Sequence, residues 1–462
     1  MDIITKHSSL SGHIQVPGSK SHTIRALLLA SLAEGESHIY NPLPSADCRS
    51  TAAAIPLLGA SVDFGTAAGN CWTVQGAGQS FHLPDDVVTV GNSGSLLYFL
   101  SPLAATLEGW SVFTGDESIR RRPVDHVVDA LRQLGAEAHT AHPGSSTCPL
   151  IIRGPVKKPY RLTTAGSVSS QYISGLMMAA LRLDAPVELE LTDPKETPYL
   201  TMTQRWLEKV GAEVHISADY RHISVKGAGL FSGFDATVPS DWEAVAFPLV
   251  AALLTDSEIT IDNVDFSGIQ GDDAIVPILR SLGADIEEDR EKATLTARGG
   301  KKARNGNGRL STEACPGGQL HVNLSGFPDA ICALAVVAAF AEGDTYIEDI
   351  AVCRRKETDR IEVLQKELGK LGVAIEAGPD FMIVHGHSPL LADGAANPSF
   401  RIHGGEVESY ADHRVAMSLA CLGLALSDNE QVRVKGAECC SVSFPRFYPV
   451  MEAIGADFKE AQ

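Results

Sequence analysis

The chain has no Cys-x-x-Cys pair, no His-Glu-x-x-His, no EF-hand loop and no other Cys/His metal spacing, so no tightly held metal is expected. Its nine cysteines are scattered, with the adjacent Cys439-Cys440 the nearest approach to a cluster. Its first residues, MDIITKHSSL, lack the apolar core of a signal peptide. Reduced thiols in a cytoplasmic protein are therefore expected. No apolar run approaches the ~20 residues of a membrane span; VAFPLVAALL and ICALAVVAAF read as core helices. Positive charge is scarce, 38 Lys and Arg against 57 Asp and Glu, for a net charge of −19. That excludes a general binder of nucleic acid or anionic membrane, but not of a small anion held by local cations. The phosphate-binding pattern GxxxxGK[ST] is absent too.

What is present is repetition. The endings LLGASVDF, QLGAEAHT, KVGAEVHI, SLGADIEE, KLGVAIEA and AIGADFKE place glycines at 59, 135, 211, 283, 372 and 455. An amphipathic stretch such as VVDALRQLG leads to each glycine, and a short segment, usually alternating, follows. This pattern predicts a helix closed by a left-handed glycine and running into a strand. Six such units, about 70 to 90 residues apart, imply an internally duplicated α/β chain. VPGSK (16–20) and VPSDW (238–242) read as crossings, since proline restricts itself and its predecessor. With hinges there, residues 1–17 and 239–462 form one domain and 18–238 another, three repeats in each.

Several apolar helices start with polar or small residues unsuited to a core: Lys20-Ser21, GNSGS (91–95), SVSSQ (167–171), FPDA (327–330) and YADHR (410–414). Unsatisfied N–H groups and a partial positive charge at helix starts favour anions. Ser21 reads as the cap of the first helix, leaving Lys20 and Arg25 near its positive end. The clusters IRRRPVDH (119–126) and CRRKETDR (353–360), with Arg414, add guanidinium groups suited to carboxylates or phosphates.

VPGSKSHTIRALLLASLAEG, GNSGS, TGDESIRRRPVDHVVDALRQLGAE, SVSSQY, FPDA, RRKETDR and ADHRVAM together resemble, across the whole chain, the 5-enolpyruvylshikimate-3-phosphate (EPSP) synthase family. The sister UDP-N-acetylglucosamine enolpyruvyl transferases fit less well. The resemblance implies a two-domain inside-out α/β barrel of six βαβαββ-type units, three per domain, the enolpyruvyl transferase fold. It implies transfer of the enolpyruvyl group of phosphoenolpyruvate to a hydroxyl of shikimate 3-phosphate, with phosphate release and neither metal nor cofactor. Lys20, Gly94, Arg122, Gln171, Arg360 and Arg414 would line the phosphoenolpyruvate side, with Asn92 in the same glycine-rich loop. Ser21, Arg25, Ser169, Ser170, Asp329 and Lys356 would hold the ring, Arg25 through a carboxylate. Lys20, Asp329 and Glu357 are the proton-transfer candidates, and Asp412 and His413 would order the loop around Arg414. The implied partners are small anionic substrates, without nucleic acid or membrane, and the chain is read as a monomer.

Four positions depart from the family's pattern. Tyr98 stands for an arginine, Glu196 for a serine, Val352 for an asparagine and Val442 for a lysine near the C-terminus. A carboxylate ~4 Å from a phosphate would repel it by about 4 kcal/mol at an effective dielectric near 20. Local realignment would relieve both losses: Glu196 turned away with Thr197 supplying the hydroxyl, and Lys435 or Arg446 in place of the missing lysine. Two further readings therefore stand beside the synthase. One is a paralogue, transferase or lyase, acting on an unphosphorylated shikimate- or chorismate-like ligand; the other is a non-catalytic binding protein.

Overall fold

The computed structural model describes residues 1–65 and 70–461. The chain divides into two compact units, Gly18–Pro239 and Met1–Pro17 with Ser240–Gln462. Among the described residues, each contains three four-stranded sheets of one repeated topology.

Among the described residues of the Gly18–Pro239 unit, six α-helices alternate between two kinds. Helices α1 (Lys20–Leu32), α3 (Gly94–Ala104) and α5 (Ser170–Ala179) are buried over nearly their whole length. Helices α2 (Ala46–Ala54), α4 (Asp125–Gln133) and α6 (Thr197–Lys209) bury only part of their surface. The sheets run Asp235–Thr237, Glu34–Tyr40, Cys71–Ala77, Ser61–Asp63; then Val88–Thr89, Gly109–Thr114, Leu150–Gly154, Glu137–Thr140; then Arg161–Ala165, Val187–Thr192, His222–Lys226, Glu213–Ile216. In each, the first two strands are parallel and the other pairings antiparallel. A parallel pair needs a long crossover, and α3 and α5 supply it in the second and third sheets.

The other unit repeats the plan with α7 (Trp242–Leu254), α9 (Ile331–Phe340) and α11 (His413–Leu424) buried. Its second set is α8 (Ile275–Ser281), α10 (Arg360–Gly369) and α12 (Phe447–Glu452). Helix α9, ICALAVVAAF, is apolar on every side and wholly buried, as a helix packed all round must be. The N-terminal strands Ile3–Lys6 and Ser11–Gln15 join the sheets of this unit, pairing with Gln431–Lys435 and Glu258–Asp262.

The six glycines all have positive φ, from 81° to 114°. Each follows one of the second-set helices, directly or through a short 3-10 turn, and leads into an edge strand of its sheet. A left-handed residue satisfies the last carbonyls of a helix and turns the chain, and glycine adopts it without a Cβ clash.

Candidate active site

In the Gly18–Pro239 unit, Lys20 is the first residue of α1, 8% exposed, with its ammonium 3.6 Å from Asp47 Oδ2 on α2. The expected cap is displaced: Ser19 occupies the N-cap position and Ser21 lies inside the helix. The Ser21 carbonyl accepts from Arg25 Nη1 at 3.0 Å. Arg25 also differs from expectation. Its Nε donates to Thr203 Oγ1 at 2.9 Å, Nη2 donates to Tyr199 O and Ser174 Oγ at 3.3 and 3.4 Å, and the guanidinium lies 4.8 Å over the Phe99 ring. Only 1% exposed, it joins α1, α3, α5 and α6 from within. Burial pulls its pKa down to about 9.

The glycine-rich loop, the arginine cluster and the start of α5 come together. A Cβ on Gly94 would lie 2.5 Å from Arg122 Nη1 and 3.8 Å from Gln171 Oε1, so glycine is what lets the guanidinium reach the start of α3. Gln171 Nε2 donates to Ser95 Oγ at 3.1 Å. Asn92 sits to one side, donating to Asp116 Oδ2 at 2.6 Å. Ser169 caps α5, accepting from Gln171 N at 3.1 Å. Ser170 donates from both N and Oγ to Glu196 Oε2, at 2.8 and 2.9 Å. Glu196, 2% exposed, therefore turns onto the start of α5 rather than away from it. Tyr98 is also buried, its hydroxyl donating to Pro123 O at 2.9 Å and its ring 5.2 Å from His126.

The other unit gathers the C-terminal candidates into one charge network. Asp329 Oδ1 accepts from Arg360 Nη1 and lies 3.3 Å from Arg414 Nε, while Oδ2 lies 3.5 Å from Lys356. Arg360 Nη2 reaches Glu357 at 2.8 Å, and Arg360 Nε reaches Asp412 Oδ2 at 2.8 Å. Asp412 also caps α11 through Arg414 N at 3.0 Å, so it fixes both arginines, and His413 beside it is buried. Burial alone would raise the Asp329 carboxyl, but Lys356, Arg414 and Arg360 hold it well below its usual range. Arg360 is raised despite its burial, by Asp412, Glu357 and Asp329. Val352 packs against the apolar core, and Val442 ends a 3-10 turn, partly buried. Lys435 is bonded to Glu406 at 2.5 Å, and Arg446 is the N-cap residue just before α12.

Two members of this network escaped the sequence reading. Glu243, in the first turn of α7, pairs directly with Arg414 Nη2, 171 positions away. Asp272 is raised well above the usual carboxylate range, by burial and then by the charges of Glu243 and Asp329. An acidic residue in a first turn reads as ordinary dipole compensation; only a tertiary pairing distinguishes Glu243. Three cations, Lys356, Arg360 and Arg414, thus meet Glu243, Asp329, Glu357 and Asp412, with Asp272 within reach of their charges.

The family model for EPSP synthase (3-phosphoshikimate 1-carboxyvinyltransferase) matches residues 4–451. The chain belongs to this family. It is 34% identical over 460 residues to a 3-phosphoshikimate 1-carboxyvinyltransferase of Ruminiclostridium cellulolyticum, covering 98% of this chain and 99% of that one. The identity to one from Acetivibrio thermocellus is 35% over 457 residues, 99% of each chain. Among solved structures, EPSP synthase from Acinetobacter baumannii matches with a TM-score of 0.75 and 26% identity over all of both chains. The enolpyruvyl transferase NikO from Streptomyces tendae matches with a TM-score of 0.76 over 100% of this chain and 98% of that one. At 17% identity the latter speaks for the fold alone. The fold is that of the family's solved EPSP synthases, and the paired sheets and helices are its repeated units.

Proposed function

We propose that this chain is a carboxyvinyl transferase, moving the enolpyruvyl group of phosphoenolpyruvate to a hydroxyl of a shikimate-3-phosphate-type ring. The observation that carries the reading is the network of Asp329, Glu357, Lys356, Arg360 and Arg414. It holds an ionised carboxylate, a second carboxylate and three cations within contact distance of one another, a set suited to anionic substrates and to moving protons. The relatives' name for their own activity supports the same class.

In this reading, the acceptor oxygen bonds to C2 of phosphoenolpyruvate as C3 takes a proton. The tetrahedral adduct then loses a proton from C3, its C2–O bond to phosphate breaks, and inorganic phosphate leaves with the alkene restored. Lys20, Asp329 and Glu357 move the protons. Arg122, Arg360, Arg414, Gln171, Gly94 and Asn92 receive the donor, and Ser21, Ser169, Ser170 and Lys356 the ring. Arg25 acts through the helices it joins, and Asp412 through the arginines it fixes. The passages near 16–20 and 238–242 serve as hinges. The enzyme works as a cytoplasmic monomer without nucleic acid or membrane; its nine cysteines, none in a disulfide, support that compartment, and among the described residues no helix is long and apolar enough to cross a membrane.

The test is release of inorganic phosphate from phosphoenolpyruvate with shikimate 3-phosphate and, separately, with shikimate. Turnover on the order of 1–10³ per second with either ring is expected. Absence of phosphate release with both would overturn the reading.

A further inference from the structure

We infer that Glu367 is a positioning residue for Arg414: the hydrogen bond it accepts from Tyr410 fixes the loop that delivers Asp412 and Arg414 to the charge network. The inference rests on the proposal that Arg414 receives phosphoenolpyruvate, and it adds to that machinery a residue outside the network.

The loop is one that a chain does not hold unaided. It follows the strand Gly405–Glu408 and ends at Asp412, the N-cap of α11. Tyr410 and Ala411 both lie in the left-handed region, with φ of 53° and 59°. Two such residues in succession, neither a glycine, are disfavoured by their Cβ atoms and persist only where contacts hold them. The next residue is Asp412, whose carboxylate accepts from Arg414 N at 3.0 Å and from Arg360 Nε and Nη2 at 2.8 and 3.3 Å. A relaxed loop would therefore shift the anchor that the two arginines share.

Glu367 supplies the holding contacts from α10, where it is fully buried. Its Oε1 accepts from Tyr410 Oη at 2.9 Å. Its Oε2 accepts from Glu408 N at 2.9 Å and from Lys370 Nζ at 2.6 Å. One carboxylate thus grips the chain on both sides of Ser409. Ser409 Oγ closes the turn itself, donating to Gly436 O at 3.0 Å and accepting from Ala411 N at 3.2 Å. The Tyr410 hydroxyl also accepts from Lys366 Nζ at 2.7 Å. Tyr410 remains 36% exposed, so its hydroxyl rather than burial of its ring ties the loop down. Helix α10 begins with Arg360, and therefore meets the loop twice, at Asp412 and, about 10 Å further along its axis, at Tyr410. The bonds of Glu367 go to Tyr410, Glu408 and Lys370, not to Arg414, so it acts on an anion only through the loop.

The experiment uses the full-length chain and three variants. Tyr410→Phe removes the hydroxyl, Glu367→Leu removes both acceptor oxygens, and Glu367→Gln keeps one. Phosphate release gives kcat and the KM of phosphoenolpyruvate and of shikimate 3-phosphate; calorimetric titration gives the Kd of phosphoenolpyruvate. Tyr410→Phe should raise KM and Kd for phosphoenolpyruvate by roughly tenfold, the scale of one charge-assisted hydrogen bond, with a distinctly smaller change in the KM of the ring. Glu367→Leu should raise them at least as far, and Glu367→Gln less than either. The double variant Tyr410→Phe with Glu367→Leu should be no worse than Glu367→Leu alone, because the two residues act as one unit.

A merely structural role would lower kcat through the folded fraction and leave KM and Kd for phosphoenolpyruvate where they were. That result, or effects that multiply in the double variant, would overturn the inference while leaving carboxyvinyl transfer standing. If the wild type binds phosphoenolpyruvate but releases no phosphate, the transfer reading fails, and the Kd series still decides the inference. A wild type that does not bind phosphoenolpyruvate overturns both. Should Glu367→Leu fail to fold, Tyr410→Phe, which changes only an exposed ring, decides it.

Discussion

Glu243 and Arg414 pose the sharpest question at the scale of single residues. Arg414 is 2% exposed and raised well above its ordinary value: burial works against the charge, and Glu243 and then Asp329 outweigh it. A substrate anion that needs this guanidinium competes with Glu243 for it. Glu243→Gln should therefore lower KM for phosphoenolpyruvate by about tenfold, the scale of one charge-assisted hydrogen bond, with a smaller change in kcat. Steady-state kinetics at fixed saturating ring substrate check this; an unchanged or raised KM would show that Glu243 orients Arg414 rather than competing for it. Asp272 gives a pH test. Its folded-state pKa lies above its unfolded value, through burial, Glu243 and Asp329, with Asp241 adding and Arg414 opposing. Its stabilisation is thus fully present below about pH 4 and is lost as pH rises through the folded value. Asp272→Asn should match the wild type in urea melts near pH 4 and exceed it in stability at pH 7. Equal differences at both pH values would remove Asp272 from the balance.

Much of this scale was legible beforehand, and the reason is that motifs are local. Lys20, Gly94, Gln171, Asp329, Arg360 and Arg414 stand in short runs whose chemistry is apparent from neighbouring residues. Glu243 was not, because its meaning lies in a partner 171 positions away. Arg25 misled for a related reason. Its position on α1 was correctly read as helical, but Thr203, Ser174 and the Tyr199 carbonyl, which enclose it, belong to later helices. Glu196 was flagged by its charge, while its turn onto Ser170 depended on a left-handed backbone that the sequence does not announce.

At the level of elements, the repeated glycines announced the architecture because a left-handed cap has few chemical solutions. The six are not equivalent in their surroundings. A Cβ at Gly372 would lie 2.5 Å from Arg401 O, whereas one at Gly211 would meet only Ala228 Cβ at 3.4 Å. Both have φ near 90°. Gly211→Ala should lose about 1–2 kcal/mol, the conformational term alone, and Gly372→Ala distinctly more, since backbone at Arg401 must move. Chemical denaturation of the two variants measures the difference; equal losses would mean that the Arg401 segment yields freely. The buried helices were harder to read. Polar starts on α3, α5 and α11 marked them, but their near-total burial follows from how the sheets surround them. Ser21 as a cap failed by two positions, within the ordinary uncertainty of helix ends.

For the molecule as a whole, the chain makes two compact units of three sheets each. Every strand of the three sheets in Gly18–Pro239 comes from that continuous segment, including the late Asp235–Thr237, which pairs with Glu34–Tyr40. A fragment of residues 18–239 should therefore fold by itself, giving a cooperative urea transition and a dispersed proton NMR spectrum. A fragment that remains unfolded would show that its core depends on the remaining chain.

The chain enters and leaves that segment at adjoining points. Ser19 N donates to Pro239 O at 2.7 Å, and Asp241 N donates to Pro17 O at 2.9 Å. An entire three-sheet body is thus spliced between Pro17 and Ser240, where the flanking backbone is already closed as in a tight loop. The consequence is topological. The segment has the form of a cassette, joined to its host at a single loop without interrupting any strand of that host.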